Sequence, residues 1–217
     1  MLKLYGIEIS NFYNMVKHTF LEKGVEFEAV ITPPSQDAEY LVKSPMGKIP
    51  CLETPDGFLC ETNVILDYLE ASIPQPALMP ADAFASAKVK ELMRITEHYI
   101  DAPARRHLGA VFFGADISDA AVQEVKPLME RGLAALENRL SDGPYACGEQ
   151  FTLADIFICH AVGLANNICQ AIYEWDITSN QPKLTTLMAN ITARETTAVV
   201  LADLDKAITA FMASREQ

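Results

Sequence analysis

The chain has 217 residues, of which 50% are hydrophobic and 21% are charged, so it can form one large or two small globular domains. Its formal net charge of −12 argues against nucleic acid as a general partner, because phosphate binding needs clustered Lys and Arg. The amino terminus has no signal-peptide pattern, and no apolar run approaches the roughly 20 residues that span a bilayer. We therefore expect a cytoplasmic protein that does not contact membranes.

The first part of the chain is predicted to alternate between strands and helices. The predicted strands are residues 2–5, 25–31, 51–54 and 58–60, and the predicted helical segments are 14–23, 37–43 and 62–72. A strand, helix, strand unit favours parallel pairing, whereas Pro55-Asp56-Gly57 predicts an antiparallel hairpin. This βαβαββα order looks like the thioredoxin fold.

Residues 73–82 contain three prolines and predict a break between two domains. Helical periodicity follows over residues 83–113, 118–140, 153–169, 184–191 and 195–211, with Pro103 expected to interrupt the first segment. Thr152 and Asp155 have capping-box spacing before the 153–169 helix. We place a thioredoxin-like domain at residues 1–77, a linker at 78–84 and an all-helical domain at 85–217.

The segment Met46-Gly47-Lys48-Ile49-Pro50 directly precedes a predicted strand. An X-Pro bond adopts the cis form at a cost of about 0.5–1 kcal/mol. A cis bond here would turn the N–H and C=O of Ile49 outward, where they can pair with an extended ligand as an added strand does. A simple turn before a strand explains the same residues, so this segment alone does not decide between the two interpretations.

Glu61-Thr62 stands where a strand ends and a helix begins. The free N–H groups of a helix N-terminus suit a carboxylate. Thr62 adds a hydroxyl donor, and Glu61 can accept from an ammonium group. The pair is suited to an amino-acid head group such as a γ-glutamyl moiety, although Thr62 could also serve only as a helix cap.

Taken together, Ser44-Pro45-Met46-Gly47-Lys48-Ile49-Pro50 and Glu61-Thr62 resemble the glutathione transferases, whose usual pattern is NPxGxVP followed by E-S. Ser44 replaces Asn and Thr62 replaces Ser. The resemblance covers the whole chain, since that family joins a thioredoxin-like domain to an all-helical one. It implies that glutathione is a co-substrate, with no permanently bound cofactor. The implied glutathione-binding residues are Lys48, Ile49, Pro50, Glu61 and Thr62.

The same resemblance implies a serine-type catalytic group, because Ser10 lies six residues before Val16, as in theta- and phi-like members. Where omega-like members have a cysteine, this chain has Tyr13. A Ser10 hydroxyl pointed at the glutathione sulfur would stabilise its thiolate. Ser10 could instead only cap the first helix, and Tyr13 or Asn11 could donate in its place.

The resemblance implies an enzyme that conjugates the glutathione thiolate to small electrophiles in detoxification, with peroxidase activity as a second reaction, and a homodimer. A non-catalytic glutathione-binding protein and a glutathione-dependent isomerase or reductase are the alternatives. The residues expected to contact the second substrate, between the domains, are Phe12, Tyr13, His98, Tyr99, Arg106 and Phe113.

The five cysteines predict neither a disulfide framework nor a metal site, because their number is odd and no pair has CxxC spacing. Cys51 directly follows Pro50 and is expected to be the cysteine beside the predicted glutathione site.

Overall fold

The computed structural model of the protein describes residues 1–215, which form two compact units. The sheet unit consists of Met1–Leu78 and the chain from Ala193 onward, and the helical unit consists of Met79–Thr192. The last helix thus groups with the sheet unit. The domain division at residues 77 and 85 stays a prediction, and its last two residues lie outside the described part of the chain.

The sheet unit has the predicted βαβαββα order. Its elements are β1 Lys3–Gly6, α1 Asn11–Glu22, β2 Glu28–Ile31, α2 Ala38–Leu41, β3 Cys51–Thr54, β4 Gly57–Cys60 and α3 Thr62–Ser72. The strands lie in the order β2-β1-β3-β4. The β1–β2 pair is parallel and the other two pairs are antiparallel, which confirms the thioredoxin-like prediction.

The interior of the sheet unit is apolar because helices α1 and α3 and the two central strands, β1 and β3, supply fully buried side chains. These include Leu4, Leu52, Met15, Val16, Phe20, Ile65, Leu66 and Leu69. Each buried Leu, Ile, Phe or Met side chain contributes about 1.5–3 kcal/mol relative to an exposed one. Helix α1 is therefore fixed against the sheet, and the loop before it has a defined position.

The final helix α10, Glu195–Arg215, is attached to α1 by a polar cluster around Glu22. The Glu22 carboxylate, only 8% exposed, accepts from Arg194 Nε at 3.1 Å and Nη2 at 2.6 Å. Thr196 donates its hydroxyl to the same carboxylate, and His18 lies 3.6 Å away. Burial alone would raise the pKa of Glu22. The hydrogen bonds outweigh that effect and lower the pKa from 4.5 to about 2.

The helical unit begins with an almost continuous helical stretch, as the sequence predicts. It runs through α4 Ala83–Thr96, a π-helical segment Glu97–Asp101, α5 Ala102–Ala104, a 3₁₀ turn Arg105–His107 and α6 Leu108–Phe113. Pro103 does not end this stretch. Regular α-helical hydrogen bonding is lost just before it, because Pro103 has no N–H to donate to the Tyr99 carbonyl. That carbonyl approaches Gly132 so closely that a Cβ there would lie 2.5 Å from it.

The remaining helices are α7 Asp119–Arg139, α8 Leu153–Tyr173 and α9 Pro182–Thr192. The predicted capping box of α8 is present: the Asp155 carboxylate accepts from the Thr152 N–H at 2.7 Å. Helix α8 is long and apolar enough to cross a membrane by length and mean hydropathy, contrary to the expectation that no segment approaches this length. However, 56% of that window is buried inside the protein, as in the central helix of a helical domain.

The cluster around Glu22 predicts an acid-sensitive contribution to stability. The pKa of Glu22 is about 2 in the folded protein, whereas the ordinary pKa of a glutamate side chain is 4.5. The stabilisation is therefore complete above pH 4.5 and is lost as the pH falls towards 2. We expect the free energy of unfolding of the wild type, relative to that of Glu22→Gln, to be about 2 kcal/mol lower at about pH 3 than at about pH 7. Urea unfolding at both pH values measures it.

Glu26→Gln is the control for that measurement, because Glu26 is an exposed carboxylate of the same unit. Its stability difference from wild type should change much less over the same pH range. Equal pH dependence of the two variants would show that Glu22 is not held as a buried carboxylate.

Candidate functional site

Strand register brings three predicted site segments to one end of the sheet. Tyr5 of β1 lies opposite Cys51 of β3, and Cys51 lies opposite Cys60 of β4. We call this the Tyr5–Cys51–Cys60 row. The chain leaves β1 near this row towards Ser10, enters β3 just after Pro50, and leaves β4 directly into Glu61. The candidate site is therefore the end of the sheet where these segments meet.

Ser10 caps α1, as one of its two interpretations predicts. Its Oγ accepts from the N–H of Tyr13 at 3.3 Å, and its backbone is extended (φ −84°, ψ 117°), so α1 begins three residues before the predicted start at residue 14. Capping uses a lone pair of the oxygen and leaves the hydroxyl proton free to donate. The first N–H groups of α1 also give this end of the helix a partial positive charge. Capping and donation to an anion are therefore compatible.

The loop that carries Ser10 is held by partly buried polar contacts that sequence reasoning missed. Asn14 Nδ2 donates to the Glu8 carbonyl at 2.7 Å, and Lys17 Nζ lies 2.6 Å from the Glu8 carboxylate and 2.8 Å from Asp203 of α10. Burial lowers the pKa of Lys17, but the hydrogen bonds to Asp203 and Glu8 raise it by more. The only sequence signal was that Asn14 and Lys17 share a helix face.

The Ile49–Pro50 peptide bond is cis, as the ligand-binding interpretation predicts. Two hydroxyls hold the preceding carbonyl: Ser44 Oγ donates to the Lys48 C=O at 2.7 Å, and the Tyr40 hydroxyl donates to it at 3.0 Å. Ser44, which replaces the Asn of the family pattern, thus has a structural role in this loop. Within residues 1–215, the N–H and C=O of Ile49 have no hydrogen-bond partner. They are available to a ligand.

Gly47 is required in this loop. It has φ +64°, and a Cβ at this position would lie 2.2 Å from the Ser35 carbonyl oxygen. The Ser35 N–H also donates to the Gly47 carbonyl at 3.0 Å, so a hydrogen bond and a close contact both join Gly47 to Ser35. The backbone that presents Ile49 is consequently a rigid turn.

Glu61 and Thr62 begin α3 in an unusual conformation. Glu61 has φ +66° and ψ 117°, although it is not a glycine, and its side chain is exposed. A non-glycine residue in such a region costs about 1–3 kcal/mol, and such strain is concentrated at functional sites. Thr62 is 7% exposed, and within residues 1–215 its hydroxyl has no hydrogen-bond partner. Both side chains are thus free to contact a ligand.

Of the alternatives to Ser10, Tyr13 is mainly a core residue. It is 3% exposed, and its ring packs so closely on Gly6 that a Cβ there would lie 2.4 Å from it. Burial raises the pKa of Tyr13, which keeps it a neutral phenol. Asn11 is also buried. Ser10 is the half-buried polar group at this helix end.

The residues predicted to contact a second substrate fall in both units. Phe12 and Tyr13 belong to the sheet unit, and Phe12 is half-buried. The other four are exposed residues of the helical unit: His98, Tyr99, Arg106 and Phe113. His98 and Tyr99 contact each other edge-to-face at 6.4 Å, and Arg106 pairs with Glu124 at 2.9 Å. Their role in substrate binding stays a prediction.

The expectation that Cys51 is the cysteine beside the site was incomplete. Cys60 lies directly opposite it across the β3–β4 pair. The hairpin spacing around Pro55-Asp56-Gly57 could have shown this, because it sets the register of the two strands. Within residues 1–215, no cluster of three or more His, Cys, Asp and Glu side chains is placed to hold a metal ion.

Comparison with protein-family models matches both parts of the chain. Residues 4–77 match the glutathione S-transferase N-terminal domain, and residues 81–195 match the glutathione S-transferase C-terminal domain. A curated glutathione S-transferase from Pseudomonas putida is 41% identical over 212 residues, which is 98% of this chain and 96% of that protein.

Solved structures agree in fold. A glutathione transferase homologue from Sulfitobacter, solved with bound glutathione, matches with a TM-score of 0.73 at 24% identity and covers 93% of this chain and 97% of its own. A bacterial maleyl pyruvate isomerase, a zeta-class glutathione S-transferase, matches with a TM-score of 0.75 at 25% identity, over 91% of this chain and 95% of its own.

The strained backbone at Glu61 makes a stability prediction. Glu61→Gly should raise the free energy of unfolding by about 1 kcal/mol, because glycine adopts positive φ without a Cβ clash. The greater chain entropy of glycine in the unfolded state offsets only part of the strain that is relieved. Glu61→Ala removes the same carboxylate but keeps a Cβ, so it should give no gain. Urea unfolding of the two variants distinguishes backbone strain from side-chain loss. Equal stability of the two would argue against strain at this position.

Proposed function

The chain belongs to the glutathione S-transferase family, and on that premise we propose that it conjugates the glutathione thiolate to small electrophiles with Ser10 as the catalytic residue. The observation that carries this proposal is the Ser10 hydroxyl at the N-terminus of α1, which accepts from Tyr13 and keeps its proton for a further hydrogen bond. The row that joins β1, β3 and β4 brings this hydroxyl to the same sheet end as the other two segments.

The energy required of Ser10 is modest. The pKa of a cysteinyl thiol in model peptides is about 8.5, so half-ionisation at neutral pH needs a shift of roughly 1.5 pKa units, or about 2 kcal/mol. A hydrogen bond to a charged group contributes about 1.5–3 kcal/mol. The partial positive charge at the N-terminus of α1 adds a smaller stabilisation of the thiolate. The serine forms no covalent bond: it stabilises the thiolate, and the thiolate attacks the electrophile.

Glutathione binding is proposed to use backbone pairing at one segment and a helix N-terminus at the other. The free N–H and C=O of Ile49 pair with the cysteinyl backbone, and Pro50 fixes their direction. Thr62 and the N-terminus of α3 bind the γ-glutamyl carboxylate, while Glu61 accepts from its ammonium group. Lys48, which is exposed, faces the glycyl carboxylate.

The wider setting is part of the same proposal. The protein acts on small electrophiles as a cytoplasmic homodimer in detoxification, and it holds glutathione as a co-substrate rather than as a permanent cofactor. The second substrate is proposed to contact some of the six aromatic and basic residues named above, of which Tyr99 and Phe113 are 48% and 56% exposed.

A glutathione-dependent isomerisation is the second candidate reaction. It is favoured by the likeness to the zeta-class maleyl pyruvate isomerase, the more similar of the two solved structures in sequence. Isomerisation would use the same thiolate, which adds to the substrate and later leaves it. A thiol reductase is disfavoured because residues 10–13 contain no cysteine.

Ser10→Ala is expected to lower turnover at saturating glutathione by about 10- to 150-fold, the loss of one hydrogen bond to a charged group. The glutathione KM should stay nearly constant, because the peptide backbone is held elsewhere. The thiolate absorbance of bound glutathione, followed against pH, should show that the pKa of its thiol rises towards the ordinary value of a cysteinyl thiol. Ser10→Thr retains the hydroxyl and should restore most activity.

Tyr13→Phe and Asn11→Ala are the matched variants for that experiment, since each removes one alternative donor. Both should leave the pKa of bound glutathione near its wild-type value. If Ser10→Ala keeps full turnover at saturating glutathione while Tyr13→Phe loses it, the serine assignment is wrong.

Thr62→Val tests the binding half of the proposal. It removes the hydroxyl donor at nearly constant size and should raise the glutathione KM about tenfold, as expected for loss of a hydrogen bond to a carboxylate. Turnover at saturation should change little. Thr54→Val is the control, because it removes a hydroxyl that donates to the Gly57 carbonyl at the other end of the hairpin. It should leave the glutathione KM unchanged.

A further inference from the structure

Cys51 and Cys60 form a pair of thiols that the transfer reaction does not use. They lie directly opposite each other in the antiparallel β3–β4 pair, and neither is in a disulfide. Directly opposed residues of such strands have Cα atoms about 4.5–5.5 Å apart. That separation falls within the roughly 4.4–6.8 Å that a disulfide requires. The backbone already has the spacing for a bond between the two sulfurs.

Both sulfhydryls point to the same acceptor, the carbonyl oxygen of Lys43. Cys60 Sγ lies 3.3 Å from this oxygen and Cys51 Sγ lies 3.5 Å from it. Within residues 1–215, the Lys43 carbonyl accepts from no other group. Two side chains that donate to one atom lie on the same face of the hairpin, so the sulfurs face each other rather than diverge.

The surroundings give the two thiols different roles. Cys51 is fully buried, and burial together with Cys60 raises its pKa to about 12. Cys60 is half-buried and can meet a reagent from solution. The Lys43 ammonium lies 4.6 Å above the ring of Tyr5, the third member of the same row, and its charge offsets only a small part of the rise in the Cys51 pKa.

From this arrangement we infer that Cys51 and Cys60 are a redox-active dithiol, which glutathione disulfide oxidises to a cross-strand disulfide. The Cys60 thiol loses its proton, and its sulfur attacks one sulfur of glutathione disulfide and releases one glutathione, which takes up the Cys60 proton. The Cys51 sulfur then attacks Cys60 and displaces the second glutathione, which takes up the Cys51 proton. In sum, two protein thiols are oxidised by two electrons, and one glutathione disulfide is reduced to two glutathione molecules.

Oxidation also has a consequence for the proposed glutathione site. A disulfide has no S–H, so the Lys43 carbonyl loses both donors. Lys43 begins the segment that leads through Ser44 and Lys48 to Ile49, while Cys60 directly precedes Glu61. The oxidised hairpin should therefore hold the Ile49 loop less firmly and bind glutathione more weakly. This second step rests on the proposed function, whereas disulfide formation does not.

The first experiment treats the folded full-length protein with glutathione disulfide and alkylates the remaining thiols. The expected product is two hydrogen masses lighter than the reduced protein before alkylation, and its free thiols fall from five to three. Cleavage at Glu53 and Asp56, which lie between the two cysteines, should leave two peptides joined through Cys51 and Cys60. Retention of all five thiols, or a lasting glutathione adduct on Cys60 without the joined peptides, would overturn the inference.

Single variants separate the two roles. Cys60→Ser should block the reaction at this hairpin, and Cys51→Ala should accumulate the glutathione adduct on Cys60 that the wild type resolves. Cys147→Ser is the matched control, because Cys147 is another half-buried cysteine but belongs to the helical unit. It should form the Cys51–Cys60 link as the wild type does. The wild-type peptide map decides the question even if a variant fails to fold.

The second experiment measures the coupling with S-hexylglutathione, which has no free thiol and cannot reduce the disulfide. Calorimetry should give an affinity about fivefold lower for the oxidised than for the reduced protein, because two weak S–H donors together contribute about as much as one ordinary neutral hydrogen bond. Equal affinity in both states overturns the coupling through Lys43. Absence of binding in both states contradicts the proposed function instead, and the peptide map distinguishes this case.

Discussion

The pairing register of β1, β3 and β4 is the constraint on which the candidate site depends. Because Tyr5, Cys51 and Cys60 lie side by side, three segments that are far apart in sequence leave or enter the sheet at one end. A shift of one residue in either pairing would turn every side chain of the strand to the opposite face. The buried Leu4 and Leu52 oppose such a shift, so the core packing also fixes the site.

The segments at this end are rigid, and their rigidity has a local cost. The Ser35 carbonyl lies so close to Gly47 that a Cβ would not fit there. Glu61 has a positive φ, which non-glycine residues rarely adopt. The Ser10 loop is held by the buried Lys17, whose charge is balanced by Glu8 and Asp203. Such preorganisation leaves less entropy to be lost when a ligand binds.

Our two proposals place two kinds of sulfur chemistry at the same sheet end. Ser10 is suited to stabilising the thiolate of a bound glutathione, which needs only one well-placed donor. Cys51 and Cys60 are suited to exchange with its disulfide, because they share the Lys43 carbonyl and face each other. On these proposals, one end of a thioredoxin-like sheet carries both a transfer site and a thiol pair. The link between them is the backbone from Lys43 to Ile49.

The sequence by itself determined the order of elements, the family, the hairpin, the Thr152–Asp155 cap and the segments that contain Ile49, Glu61 and Ser10. These follow from local patterns: hydrophobic period, Gly and Pro positions, and short motifs. Only the tertiary structure decided that Tyr13 is mainly a core residue, that Lys17 anchors the Ser10 loop through Asp203, and that Cys51 and Cys60 share the Lys43 carbonyl. Each of these depends on contacts between residues distant in the chain or on a strand register, and such contacts leave no local pattern in a single sequence.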